Sequence, residues 1–154
     1  MDAILAYDDQ GNPVEPEWPE ADMIVGNPPF LGIRKMREEL EEAYVENLRM
    51  LYQDRLPPVD LVCYFFEKSR SLIESGRSDR AGLLATNMIR GGKNRSVLSR
   101  IKESGNIFFA ESDRAWILDG ASVRVSMVGF DPTGLRPFAM PGPMRQGFLS
   151  YIRL

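Results

Sequence analysis

Apolar residues recur along this chain in two rhythms, short continuous runs and a helical spacing. Together they predict an ordered series of elements. Met23-Ile24-Val25-Gly26 forms a run that reads as a buried strand near 22–26. Residues 35–52 place Met36, Leu40, Tyr44, Leu48 and Leu51 on one helical face with acidic residues opposite. Pro57-Pro58 breaks the chain, and Asp60 caps a second helix near 60–75 that buries Leu61, Phe65, Leu72 and Ile73 and stops at Gly76. Ala81-Gly82-Leu83-Leu84-Ala85-Thr86 is again continuous, as in a parallel strand covered on both faces. A basic helix over 94–104 ends at Gly105. Ile107–Ala110 and the alternating Val123–Phe130 are the last two strands, the latter pairing antiparallel at the sheet edge. This order is the second half of a doubly wound α/β sheet with flanking helices. Residues 8–20, rich in Asp, Glu, Gly and Pro, read as an acidic loop, and no internal repeat is evident.

Composition narrows the classes. The chain has 154 residues, 44% hydrophobic and 27% charged, as in one soluble globular domain. No apolar stretch reaches the roughly 18–20 residues of a membrane span, and the acidic N-terminus lacks the basic start of a signal peptide. Cys63 is the sole cysteine, so no disulfide framework exists and cytoplasm is the expected compartment. With no histidine, His-based metal sites and His-dependent triads are excluded within this chain, and no metal is expected. The net charge of −3 is uneven: residues 67–102 hold nine basic and three acidic side chains. Arg90, Lys93, Arg95, Arg100 and Lys102 form the core of that cluster. It reads either as a solvated helix face or, because it follows a strand end, as a phosphate contact through Arg90, Lys93 and Arg95.

Asn27-Pro28-Pro29-Phe30 follows the first buried run directly. The string can be an ordinary turn. It also suits methylation of an exocyclic amine, whose lone pair is delocalised into its ring. The Asn27 side-chain oxygen and the Pro28 carbonyl can each accept one amine N–H, drawing the nitrogen towards tetrahedral geometry. Pro28 and Pro29 fix the backbone and remove competing donors. Phe30 can stack on a base taken out of its helix.

Four segments carry a resemblance to a known family: Ala21–Phe30, Asp60–Lys68, Gly82–Gly92 and Trp116–Phe130. Over Ala21 to Asp131 the chain resembles the amino-methyltransferases that use S-adenosylmethionine to methylate adenine N6 in DNA, in particular the fused type IIG restriction–modification enzymes. The resemblance implies a partial class I, Rossmann-like methyltransferase sheet, with residues 1–20 as an N-terminal segment, 21–131 as the second half of the catalytic domain and 132–154 as an irregular tail. It implies that Asn27, Pro28, Pro29 and Phe30 are catalytic. It places Asp60 and Tyr64 beside the cofactor's adenine, where a helix cap and a core aromatic are equal alternatives. It makes Trp116 a second wall for the base, or else a packing residue. Asn87 closes a turn, and Gly91-Gly92 lend flexibility, since no phosphate-cradling glycine spacing exists.

The departures shape the expectation. The glycine-rich cofactor loop and the acidic residue of such enzymes belong upstream of Asn27, where only 26 residues stand. The S-adenosylmethionine pocket is therefore expected to be incomplete, and the chain inactive alone. DNA and a complementing half or chain are the expected partners, with self-association through the exposed sheet edge as a further expectation. Protein glutamine N5-methylation, which poses the same lone-pair problem, and a non-catalytic remnant or binding module are the competing readings.

Overall fold

Asp8 builds the first turn of the structure. Its Oδ1 accepts from the N–H groups of Gln10 and Asn12, and Gly11 takes the φ of 81° that the turn needs. The turn pairs β1 (Ala6–Tyr7) antiparallel with β2 (Pro13–Val14). The acidic segment over 8–20 is turn and loop as expected, apart from the short strand Pro13–Val14 that pins it. Ala3, Ile4, Leu5 and Trp18 join the main core, and the Trp18 indole N–H donates to the Ala3 carbonyl at 2.7 Å. Arg55 meets Glu15 at 2.6 Å, and the Lys68 ammonium donates to the Pro16 carbonyl. This anchoring was not visible as periodicity because the apolar residues are few and spaced irregularly between prolines. The computed structural model describes residues 2–118, 121–133 and 148–151.

β3 (Ala21–Gly26) leads into the Asn27–Phe30 loop and then α1 (Ile33–Glu39) and α2 (Glu42–Tyr52). The single helix expected over 35–52 is therefore two. Leu40 and Glu41 are both extended, with ψ of 153° and 139°, and break it. The spacing misled because Met36, Val45 and Leu48 all turn the same way into the core despite the break.

α3 (Leu61–Glu74) is the central helix, buried along almost its whole length. It ends in a Schellman motif: Gly76 at φ 72° donates to the Ile73 carbonyl and Arg77 to that of Leu72. Phe66 on α3 stacks on Phe130, with ring centroids 5.9 Å apart.

β4 (Ser78–Thr86) runs parallel to β3. Two short 3-10 turns (Asn87–Arg90 and Gly92–Asn94) and α4 (Arg95–Ser104) then lead to β5 (Gly105–Leu118) and β6 (Ala121–Pro132). A last strand, β7 (Phe148–Tyr151), closes the series. The sheet order is β5-β6-β4-β3-β7, with β7 parallel to β3 and β6 antiparallel to both neighbours. The partial doubly wound α/β class holds, with three corrections. β6 pairs antiparallel as expected but lies inside the sheet, and β5 is the edge. β5 runs through to Leu118 rather than stopping at Ala110, because a bulge between Glu111 and Arg114 bends it without ending it. Residues 148–151, expected within an irregular tail, form a strand, so β3 does not present the free edge proposed for self-association.

The core lies on the helix-covered face of the sheet, where Ile24, Ala81, Leu83, Ala85, Val128 and Phe130 meet α3. On the opposite face Val25 and Phe108 remain exposed, and a Cβ at Gly82 would meet nothing within 4 Å. Among the described residues no helix is long and apolar enough to cross a membrane.

Candidate functional site: the carboxyl end of the parallel strands

β3 and β4 are parallel neighbours in the register Gly26 to Leu83, so both chains leave the sheet at the same end. Asn27–Phe30 emerges from β3 there. The turn that begins at Asn87 emerges from β4 beside it. Open parallel sheets bind ligands at this end.

Asn27 holds the most telling atom. Its side-chain Oδ1 is buried and has no hydrogen-bond partner among the described residues. Buried acceptors in folded chains are overwhelmingly paired, and an orphan costs about 1–3 kcal/mol. Beside it lies a small cavity of about 10 Å³ lined by Trp18, Ile24, Gly26, Asn27, Pro28, Phe65 and Leu83. That is about one water's worth of space. Pro28 is buried, while Pro29 and Phe30 are half-buried and Phe30 packs against the core.

The loop after the motif is fixed from α3. The Leu61 N–H donates to the Leu31 carbonyl at 2.9 Å, and the Ile33 N–H donates to Asp60 Oδ1 at 3.0 Å. Asp60 stands at the N-cap position of α3, yet its carboxylate serves α1 rather than its own helix. Its second oxygen accepts from Asn94 Nδ2 at 2.6 Å, and its own N–H donates to Asn94 Oδ1 at 3.0 Å. Asn94 is buried, although its neighbours Lys93 and Arg95 are exposed. Nothing in the sequence marks Asn94: its partner lies 34 positions away.

Tyr64 points into the interior, edge-on to Tyr52 with ring centroids 5.2 Å apart. Burial raises the pKa of its hydroxyl and keeps it protonated. Asp60 therefore faces protein groups, while Tyr64 also lines a cavity of about 470 Å³ with Arg49, Leu56 and Pro57. The lone Cys63 is buried next to them, its thiol pushed up to about 12 by burial and then by the Asp60 charge.

Of the basic cluster, Arg90, Lys93 and Arg95 are exposed, at the same sheet end as Asn27. Arg90 donates to Ser112 Oγ at 3.1 Å. Arg100 is different: it turns inward to the buried Glu67. Asn87 does more than close a turn. Its Oδ1 accepts from the Asp113 N–H and the Ser126 hydroxyl, and its Nδ2 donates to Asp113 Oδ1. It thereby holds the β5 bulge, where Asp113 has φ 63°, a conformation that Asp tolerates better than most residues. Trp116 lies on β5 opposite Val123; its side chain is outside the described residues.

A family model described as the DNA-methyltransferase domain of MmeI matches residues 6–138. Among solved structures, the Type IIL restriction-modification enzyme MmeI, determined in complex with DNA, is 25% identical with a TM-score of 0.56. The match covers 71% of this chain and 15% of that one. No curated protein matches the chain.

Proposed function

The chain belongs to the MmeI DNA-methyltransferase domain family, and on that premise we propose that it carries the amine-binding part of a restriction–modification enzyme that moves a methyl group from S-adenosylmethionine to adenine N6 in DNA. The buried, unpartnered Oδ1 of Asn27 carries this reading. An incoming amine N–H would satisfy that acceptor, and the Pro28 carbonyl would take the second N–H. Both contacts strengthen as the nitrogen becomes tetrahedral, so they favour the transition state over the ground state. Phe30 would leave its half-buried packing to stack on the base, and Pro29 holds the turn rigid between them.

The exposed Arg90, Lys93 and Arg95 favour a polyanionic substrate over a protein glutamine. They would take phosphates flanking the flipped nucleotide. S-adenosylmethionine supplies the electrophilic methyl group. Asp60 does not fit as its holder, because it spends both carboxylate oxygens on Ile33 and Asn94. Tyr64 lies against Tyr52 but also lines a cavity of about 470 Å³ with Arg49, Leu56 and Pro57.

The test replaces the matched segment of an MmeI-type enzyme with this chain and supplies donor labelled on its methyl group. Offered duplex DNA and a glutamine-bearing protein together, the chimera is expected to label N6 of adenine. Label on glutamine, or on cytosine in DNA, would overturn the assignment.

A further inference from the structure

Asn94 is a buried polar side chain between two exposed cations, and all its strong contacts go to one residue, Asp60. Asp60 in turn joins three elements. It opens α3, it receives the Ile33 N–H directly behind the Asn27–Phe30 loop, and it grips the turn that carries Lys93 and Arg95. Gly32 sits against the same carboxylate, where a side-chain carbon would stand 3.6 Å from Asp60 Oδ1. The Leu61 N–H, one residue on, ties the Leu31 carbonyl. The polar groups of this junction are matched donor to acceptor, so a shift of either strand-end loop breaks several hydrogen bonds at once.

We infer that Asp60 and Asn94 are positioning residues: they couple phosphate contact at Lys93 and Arg95 to the loop that presents Asn27. The inference rests on the proposed reading of the basic turn as a DNA contact. A phosphate that fixes Lys93 and Arg95 fixes Asn94 between them, and through Asp60 it fixes the backbone at Ile33 and Leu31. The amine-binding loop is then most ordered when DNA is in place. Because the coupling runs through one reciprocal pair, it can be broken and rebuilt by exchange. Asn94→Asp alone sets two carboxylates face to face. The double variant Asp60→Asn, Asn94→Asp again matches one donor to each acceptor, including the one that receives Ile33.

The experiment is hydrogen exchange at the Ile33 and Leu61 amides of the whole chain, with and without a short DNA duplex. DNA is expected to slow both amides about tenfold. Asn94→Asp is expected to bind DNA within about threefold of the parent, since Lys93 and Arg95 remain, but to lose the slowing. The exchanged pair is expected to regain it. Lys93→Ala with Arg95→Ala, both exposed and harmless to folding, is expected to abolish the slowing while leaving the DNA-free rates unchanged. DNA binding that slows the amides equally in the parent and in Asn94→Asp would overturn the coupling and leave the DNA reading intact. Absence of any DNA binding would overturn both.

Discussion

Glu67, wholly buried on α3, accepts two hydrogen bonds from the Arg100 guanidinium of α4, at 3.0 and 3.1 Å. Arg70, one turn along α3, grips the same carboxylate at 2.9 and 3.0 Å. A single carboxylate thus joins two helices and two cations. It explains why one member of the basic cluster turns inward and is only partly exposed. Removing it leaves the buried Arg70 with Glu74 and Ser104 alone and the partly exposed Arg100 without its carboxylate, a loss of about 1–3 kcal/mol. Glu67→Ala is therefore expected to lower the unfolding free energy by that amount, read as a lower urea midpoint at an unchanged denaturant slope. A loss below about 1 kcal/mol would show that the clamp is redundant.

Asn27→Ala is expected to separate activity from stability. The Oδ1 it removes has no partner among the described residues, so the folded chain should gain about 1 kcal/mol rather than lose it. In a complete enzyme the same change should remove about 3 kcal/mol or more of transition-state stabilisation. Thermal melts and single-turnover rates check the two halves. A destabilised variant, or one with near-normal turnover, would refute the role given to Asn27.

High pH is expected to destabilise the fold. Burial raises the folded-state pKa of Cys63 to about 12, and it is the leading cause that raises Tyr44, Tyr52 and Tyr64. Each group stays neutral when folded, while the unfolded chain ionises at ordinary values and gives up protons first. Their contribution is whole below about pH 8.5, where an unfolded thiol begins to ionise, and falls as pH rises towards the folded value. Denaturant midpoints from pH 7 to 11 should decline, and Cys63 should react with a thiol reagent at pH 8 only on unfolding. Rapid reaction in the native chain would contradict this.

Gly82→Val is expected to stabilise the chain by about 0.5–1 kcal/mol. The site is open and lies in the middle of β4, so the change trades glycine's flexibility for a strand-forming residue. Gly105→Ala is the contrasting case, because its new carbon would run into the Asp131 carbonyl. Equal effects from the two changes, read from melting temperatures, would show that the sheet face is not open at Gly82.

Phe30→Ala is expected to weaken capture of a flipped base by about 1–3 kcal/mol, the worth of one base–aromatic stack. Binding to duplexes carrying a mismatched target base measures it. Unchanged affinity would leave Phe30 as a packing residue only.

The sequence by itself determined what depends on neighbours along the chain. The apolar runs at Ile24 and Leu83, the α3 stop at Gly76 and the rigid Asn27-Pro28-Pro29 turn are local facts, and they were legible with the α/β class and the family. What stayed hidden depends on partners far away in sequence. Whether Arg100 faces water or Glu67, whether Asp60 caps α3 or holds Asn94, and which strand lies at the edge are settled by packing across 33 or 34 positions or by hydrogen bonds between strands. A charged or polar side chain carries no label for its partner, since its hydrogen bond is satisfied equally well by water until burial removes that choice. Only the tertiary structure makes that choice, and among the described residues it left Asn27 Oδ1 without a partner.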